Sequence, residues 1–178
     1  MRYYYTDKEY KELLKHLQII ATTNEQRNEH ILSYFDLNKI PYRERKLANG
    51  DYNFCVTACP DLGFSQDTYF TDELFIERKN SLTELASSIN NEAFHYELKR
   101  SRNIPDKFLL VEQANGWEGL IAHDYKTEYS EKAFYKTLRK FQLEYGLNID
   151  FCEKSHMGYA IYTIAVQTLN KYILRIGV

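Results

Sequence analysis

The hydrophobic pattern at the start of the chain predicts a helix, a strand and a second helix. Residues 7–16 have a helical pattern of apolar positions. The next residues, 17–21, form a short apolar run rich in β-branched side chains, which is typical of a buried strand. A second apolar helical face follows and should end near Asn38, because Pro41 comes soon after.

Two short extended segments and a longer strand come next. Residues 42–47 and 51–57 are separated by Ala48-Asn49-Gly50, whose last two residues tolerate positive φ in a tight turn. This pattern predicts a β-hairpin. Residues 58–72 contain Pro, Gly and several Asp and are predicted to form a long loop, after which residues 73–79 return as a strand.

The second half of the chain is predicted to contain helices and two further strands. Ser81 and Glu84 fit a capping box at a helix start. A helix over about 92–102 should end before Pro105, and residues 107–112 read as a buried strand.

The end of the chain is predicted to hold a loop, a helix, a strand and a last helix. Trp117 is placed in a loop, and Gly146 is expected to cap the helix that follows this loop. A strand over 148–152 precedes a last helix over about 157–175. The apolar stripe of that helix fits either core packing or a dimer contact; it includes Ile161, Ile164 and Tyr172.

Length, composition and charge narrow the class of protein. A chain of 178 residues fits one domain, expected here over 1–178 with a core over about 17–153. With a formal net charge of −2, any binding to nucleic acid requires a local cluster of basic residues. Three cysteines and no signal-peptide pattern predict a cytoplasmic setting, and no apolar run approaches the roughly 18 residues of a membrane span.

Two carboxylates and one ammonium are predicted to meet where neighbouring strands diverge. Asp51 lies at the start of one predicted strand. Glu77 and Lys79 lie on another strand and share one of its faces, because side chains alternate along a strand. Two carboxylates suit a hard cation such as Mg²⁺ or Mn²⁺, which lowers the pKa of bound water. Lys79 could orient that water or stabilise negative charge, so the group suits phosphodiester hydrolysis.

The longer motif resembles that of a known nuclease family. Gly50-Asp51-Tyr52 followed by Ile-Glu-Arg-Lys-Asn-Ser-Leu-Thr-Glu-Leu over residues 76–85 resembles the XPF-like nucleases, with their Gly-Asp and Glu-Arg-Lys motifs. That family belongs to the restriction-endonuclease-like superfamily. The resemblance covers about residues 17–153 and looks closest to compact phage and bacterial members. It implies an α/β fold with a mixed β-sheet flanked by helices on both faces, and metal-dependent cleavage of DNA, commonly at branched or flapped sites.

The resemblance assigns roles to individual residues. It implies that Asp51 and Glu77 are metal ligands and that Lys79 is the catalytic lysine. Arg78 lies on the opposite face of the strand, which favours a structural or DNA-positioning role. Glu25 and Glu112 match acidic residues near the active site of relatives, and together with Arg78 they form a second tier of candidates.

Three departures from the family pattern leave an alternative open. Thr22 and Thr83 stand where relatives have aspartates, and Glu84 cannot replace the second one because a one-residue shift rotates a helical side chain by about 100°. We also expect no helix-hairpin-helix module, because a single nuclease domain accounts for the residues of this chain. The alternative is a catalytically impaired protein of this fold that binds nucleic acid or a protein partner.

DNA affinity would then come from this domain, a homodimer or a protein partner. Lys99, Arg100 and Arg102 form a basic cluster that is predicted to contact phosphates, with a solvated helix end as the other interpretation. A second basic stripe is more simply a solvated helix face; it comprises Lys132, Lys136, Arg139 and Lys140.

Overall fold

The computed structural model describes residues 4–176 and contains a mixed β-sheet between two helical layers. The strands are β1 (Leu17–Ala21), β2 (Tyr42–Glu44), β3 (Tyr52–Val56), β4 (Thr68–Tyr69), β5 (Leu74–Lys79), β6 (Asp106–Glu112) and β7 (Asn148–Cys152). The helices are α1 (Asp7–Leu14), α2 (Glu29–Leu37), α3 (Leu82–Ser88), α4 (Glu92–Arg100), α5 (Gly116–Ile121), α6 (Glu131–Tyr145) and α7 (Met157–Ile176).

The strand order in the sheet is β2-β1-β3-β5-β6-β7, and the short β4 pairs with β3. β1 runs parallel to β2 and antiparallel to β3, whereas β5, β6 and β7 run parallel to one another. The predicted mixed sheet with helices on both faces is confirmed.

The predicted hairpin of residues 42–57 is wrong. β2 and β3 lie on opposite sides of β1, which is buried and hydrogen-bonds along both of its edges. Asn49 and Gly50 form a turn, but local turn chemistry does not specify whether the flanking strands become neighbours. Gly50 has a φ of +74°, and the turn brings the next residue, Asp51, against β5.

Each face of the sheet has its own hydrophobic core. The first core joins Leu74 and Ile76 of β5 to α1, α2 and α7. The second core joins Phe75 of β5 to α3, α4, α5 and α6. Because side chains alternate along β5, Glu77 and Lys79 point to the second layer and Arg78 to the first.

The apolar stripe of α7 belongs to the first core. Ile161 and Leu169 are fully buried, and Ile164 and Tyr172 are partly buried against the same core. Core packing therefore accounts for the stripe. The burial of these described residues gives no support to the other interpretation, a dimer contact.

Two local predictions need correction. Trp117 lies in helix α5, where its ring packs against Tyr135 and Phe151, instead of in a loop. The predicted loop over 58–72 contains a 3₁₀ turn, Pro60–Leu62, and the short strand β4. Among the helices of residues 4–176, none combines the length and the apolar character needed to cross a membrane.

Candidate active site between β3 and β5

Asp51 and Glu77 are brought together by a single point of contact between β3 and β5. Tyr52 pairs with Ile76, so the residue before Tyr52 lies beside the residue after Ile76. The backbone N–H of Asp51 donates to the carbonyl of Ile76 at 2.8 Å. A Cβ at Gly50 would lie 2.8 Å from that same carbonyl oxygen, which explains why glycine precedes the aspartate.

The carboxylate of Asp51 is held by the backbone of β5. Its Oδ2 accepts a hydrogen bond from the backbone N–H of Arg78 at 2.9 Å. Asp51 lines a cavity of about 320 Å³ together with Glu25, Lys79 and Glu84. Burial raises the pKa of Asp51 above its usual range, although the hydrogen bond from Arg78 and the charge of Lys79 act in the opposite direction.

Glu77 and Lys79 form a buried ion pair beside Asp51. Lys79 Nζ donates to Glu77 Oε1 at 2.5 Å and lies 5.2 Å from the centre of the Phe94 ring. Burial and then repulsion by Asp51 raise the pKa of Glu77 well above its usual range. Burial alone would lower the pKa of Lys79, but the two carboxylates outweigh it and the pKa is raised, so the lysine is an ammonium at neutral pH.

One oxygen of this site has no partner. Glu77 is only 4% exposed, and its Oε2 is buried without a hydrogen-bond partner in the described part of the chain. A buried, unsatisfied carboxylate oxygen is costly, and a cation held between it and Asp51 would remove that cost. The site therefore fits a divalent metal ion.

The donor set also indicates the kind of metal. Within residues 4–176, no group of three or more His, Cys, Asp or Glu side chains is arranged to hold a metal ion. A metal held by Asp51 and Glu77 would need other ligands from water or phosphate. Mg²⁺ and Mn²⁺ commonly bind in this way, through one or two carboxylates.

Arg78 organises the acidic residues on the other side of β5. Its Nε and Nη2 donate to Glu112 Oε1 at 2.9 and 2.7 Å, and its Nη1 donates to Glu25 Oε1 at 2.5 Å. His30 Nε2 lies 2.7 Å from the same Glu112 oxygen. Burial and then repulsion by Asp51 raise the pKa of Glu25 to about 7. The three second-tier residues, Glu25, Arg78 and Glu112, thus form one network that connects β5, β6 and the segment after β1.

Thr22 and Thr83, which stand where relatives have aspartates, each form a hydrogen bond with a neighbouring segment. The backbone N–H of buried Thr22 donates to the Asp51 carbonyl at 2.8 Å. Thr83 Oγ1 accepts from the backbone N–H of Lys126 at 3.1 Å.

Glu84 lies at the cavity edge as a helix cap. Its backbone N–H donates to Ser81 Oγ at 3.1 Å. The predicted capping box is wrong in its second bond, because Glu84 Oε2 accepts from the N–H of Asn80 and not from that of Ser81.

The predicted basic cluster does not converge on one point. Lys99 is exposed, and Arg102 is paired with Glu144 at 3.5 Å. Arg100 is different, because its Nη2 donates to Asn49 Oδ1 at 3.4 Å, two residues before Asp51.

Sequence reasoning missed two side chains of α4 that lie beside the site. Phe94 underlies the Lys79 ammonium, and the charge of Glu97 contributes to raising the pKa of both Asp51 and Glu77. Phe94 and Glu97 are three residues apart and therefore neighbours on one helix face. That spacing is visible in the sequence, but only the packing of α4 shows which strand it faces.

The fold and site together define the class of the protein. A mixed sheet flanked by helices, with Asp before one strand and Glu-x-Lys on its neighbour, is the arrangement that the resemblance to XPF-like nuclease domains predicted. Residues 21–161 match the ERCC4 domain model, and the chain belongs to this family. No curated protein matches the chain.

Solved structures support the same fold. XPF from Aeropyrum pernix matches with 18% identity and a TM-score of 0.61, over 85% of this chain and 61% of that chain. XPF from Aeropyrum pernix in a complex with DNA matches with 17% identity and the same TM-score, over 86% of this chain and 66% of that chain. The chain thus spans less than two thirds of the length of either. The predicted XPF-like nuclease domain is confirmed, whereas the closeness to compact phage and bacterial members stays a prediction.

Proposed function

We propose that this protein is a metal-dependent endonuclease that hydrolyses phosphodiester bonds in DNA, with branched or flapped DNA as its substrate class. The observation that supports this most directly is the buried, unpartnered Oε2 of Glu77 beside the Asp51 carboxylate and the Lys79 ammonium. Membership of the ERCC4 domain family supports the same chemistry.

In this proposal, Asp51 and Glu77 hold Mg²⁺ or Mn²⁺. The bound cation would neutralise charge on the phosphate and lower the pKa of a water molecule. Lys79 is fixed by Glu77 and stays protonated, so its ammonium stabilises negative charge that develops on the phosphate oxygens. The Arg78 backbone N–H orients Asp51, while its side chain holds Glu25 and Glu112 in place.

DNA binding has to overcome a net charge of −2. We assign the phosphate contacts to the basic cluster of Lys99, Arg100 and Arg102, among which Arg100 has the clearest geometric relation to the site. If a homodimer or a protein partner adds affinity, it uses a surface other than the core-packed stripe of α7.

Calorimetric titration with Mn²⁺, repeated with Mg²⁺, tests whether this site binds metal. We expect heat of binding from the wild type, loss of that heat in Glu77→Gln and in Asp51→Asn, and no change in the control Glu118→Gln, an exposed residue of α5. No heat from the folded wild type would contradict the proposal. That result would favour the catalytically impaired binding module, which the threonines at positions 22 and 83 make the second candidate.

A further inference from the structure

Two arginines at the end of β2, Arg43 within it and Arg45 directly after it, contact one tyrosine. The guanidinium carbon of Arg45 lies 4.4 Å from the centre of the Tyr69 ring, and that of Arg43 lies 5.2 Å from it. Arg43 Nη2 also donates to the Tyr69 hydroxyl at 2.7 Å. Tyr69 is 37% exposed and Arg45 is exposed, so the pair is open to solvent.

Arg45 is the freer of the two arginines. Arg43 has a carboxylate neighbour, Asp67, at 3.7 Å. Arg45 contacts the Tyr69 ring and forms no salt bridge with any residue in the described range 4–176. Its planar set of N–H donors is therefore pre-positioned and available to an anionic ligand.

The backbone connects Arg45 to the candidate active site. The N–H of Arg45 donates to the Ala21 carbonyl at 2.9 Å, at the end of β1. Thr22 directly follows β1; its Oγ1 accepts from the N–H of Leu47 at 3.5 Å, and its backbone N–H donates to the Asp51 carbonyl at 2.8 Å. Arg45 and Asp51 are thus anchored to consecutive residues at the same end of one strand.

A cavity of about 400 Å³ is lined by residues that lie close in sequence to Asp51 and to Tyr69. Asn49, two residues before Asp51, and Thr71, two residues after Tyr69, both line it, as does Arg100. Asn49 Oδ1 accepts from Arg100, whereas Asn49 Nδ2 is buried with no hydrogen-bond acceptor in the part of the chain that is described. A buried amide N–H that has no acceptor and lies beside a guanidinium is suited to bind a phosphate oxygen.

We infer that Arg45 on Tyr69, together with the Asn49–Arg100 pair, forms a track for the sugar-phosphate backbone of the DNA strand that enters the site. The inference rests on the proposed function and adds the path of the substrate. Guanidinium groups bind phosphate through two parallel N–H donors, and stacking on an aromatic ring fixes their orientation. A local track of this kind also supplies the basic surface that the net charge of −2 does not.

The chain contains a matched control for this track. Arg139 of α6 is also exposed and also stacks on aromatic rings, with its guanidinium carbon 4.4 Å from the centre of Trp117 and 4.9 Å from that of Tyr135. Trp117 packs on Phe151 of β7, at the opposite edge of the sheet from β2. Arg139 therefore has the same chemistry as Arg45 in a place that the track does not reach.

Equilibrium binding of labelled single-stranded and flapped DNA, measured by fluorescence anisotropy in EDTA, tests the track without relying on cleavage. We expect Arg45→Gln to weaken binding about tenfold at low salt and to reduce the slope of log affinity against log salt by about one, the effect of losing one phosphate contact. Tyr69→Leu should cause a smaller loss, because Arg45 remains but is no longer held. Arg139→Gln should bind like the wild type.

The track is overturned if Arg45→Gln binds with wild-type affinity and salt slope, if Arg139→Gln loses as much as Arg45→Gln, or if the wild type binds neither DNA. Cleavage of the same DNAs with metal is scored separately. Cleavage by the wild type with no effect of Arg45→Gln on KM would refute the track alone. An absence of cleavage, combined with binding that depends on Arg45, would refute the proposed nuclease and leave the track standing.

Discussion

At the scale of single residues, the candidate site depends on a glycine as much as on its charged groups. Gly50 has a positive φ, and its Cα faces the Ile76 carbonyl that also accepts the hydrogen bond from Asp51. Any side chain at this position would strain the backbone and separate Asp51 from β5.

We therefore expect Gly50→Ala to destabilise the protein by about 2–4 kcal/mol, since it combines a strained φ with a contact that must shift. Gly146→Ala is the control: its φ is also positive, but its added Cβ would have no neighbour closer than 3.8 Å. That variant should lose about 1 kcal/mol. Urea unfolding measures the loss of unfolding free energy in both variants. Equal losses would show that the contact with the Ile76 carbonyl contributes nothing.

The clustering of Asp51, Glu77 and Lys79 was predictable from sequence for simple reasons. Glu77 and Lys79 share a face because strands have a period of two, and the Gly-Asp motif identified their partner. Glu97 and Asn49 were not predicted, because their relation to the trio depends on how α4 packs against the sheet. A single sequence shows that a helix has a polar face, but it does not show what that face contacts.

At the scale of elements, most helices and strands were predicted close to their observed bounds. The predicted pairing of β2 with β3 was wrong, because a turn and two extended segments have the same local pattern whether or not a third strand lies between the two. Helix α5 was missed because it has only six residues, too few to show a helical period.

The Arg78 network holds three elements together and makes a second prediction. Arg78 is buried on β5 and pairs with Glu112 of β6 and with Glu25 after β1. We expect Arg78→Met to destabilise the protein by about 3–5 kcal/mol, because both carboxylates would be left buried without their partner.

Arg78→Lys should recover little of this loss, since an ammonium cannot reproduce the paired donors of a guanidinium. Urea unfolding at neutral pH is again the measurement. A loss below about 1 kcal/mol in Arg78→Met, which is typical of an exposed pair, would contradict the role assigned to the network.

At the scale of the whole molecule, the crowded carboxylates make stability depend on pH and on metal. The pKa of Glu25 is raised to about 7, so its protonated form is favoured in the folded state. Its contribution to stability is present at low pH and is lost as the pH rises from the unfolded value near 4.5 through about 7. The raised pKa values of Asp51 and Glu77 act in the same direction, whereas the lowered pKa of His30 acts in the opposite one.

We expect the metal-free wild type to lose stability relative to Glu25→Gln between pH 5 and pH 8, by up to a few kcal/mol. Taking the difference between these two proteins cancels the contribution of His30. Urea unfolding in EDTA across this pH range measures the difference in unfolding free energy between the two proteins. Added Mn²⁺ should restore part of the stability that the wild type loses, because the metal favours the ionised carboxylates. A constant difference between the two proteins would refute the assigned pKa shift.

The central claim is that Asp51, Glu77 and Lys79 form a metal-dependent nuclease site. The most direct measurement is cleavage of labelled single-stranded, duplex, flapped and forked DNA with Mg²⁺ or Mn²⁺, comparing the wild type with Glu77→Gln, Lys79→Met and the control Glu118→Gln. We expect metal-dependent cutting by the wild type and the control, strongest on flapped or forked DNA, and its loss in the other two variants. Cutting that survives both substitutions, or no cutting of any of these DNAs by the folded wild type, would contradict the claim.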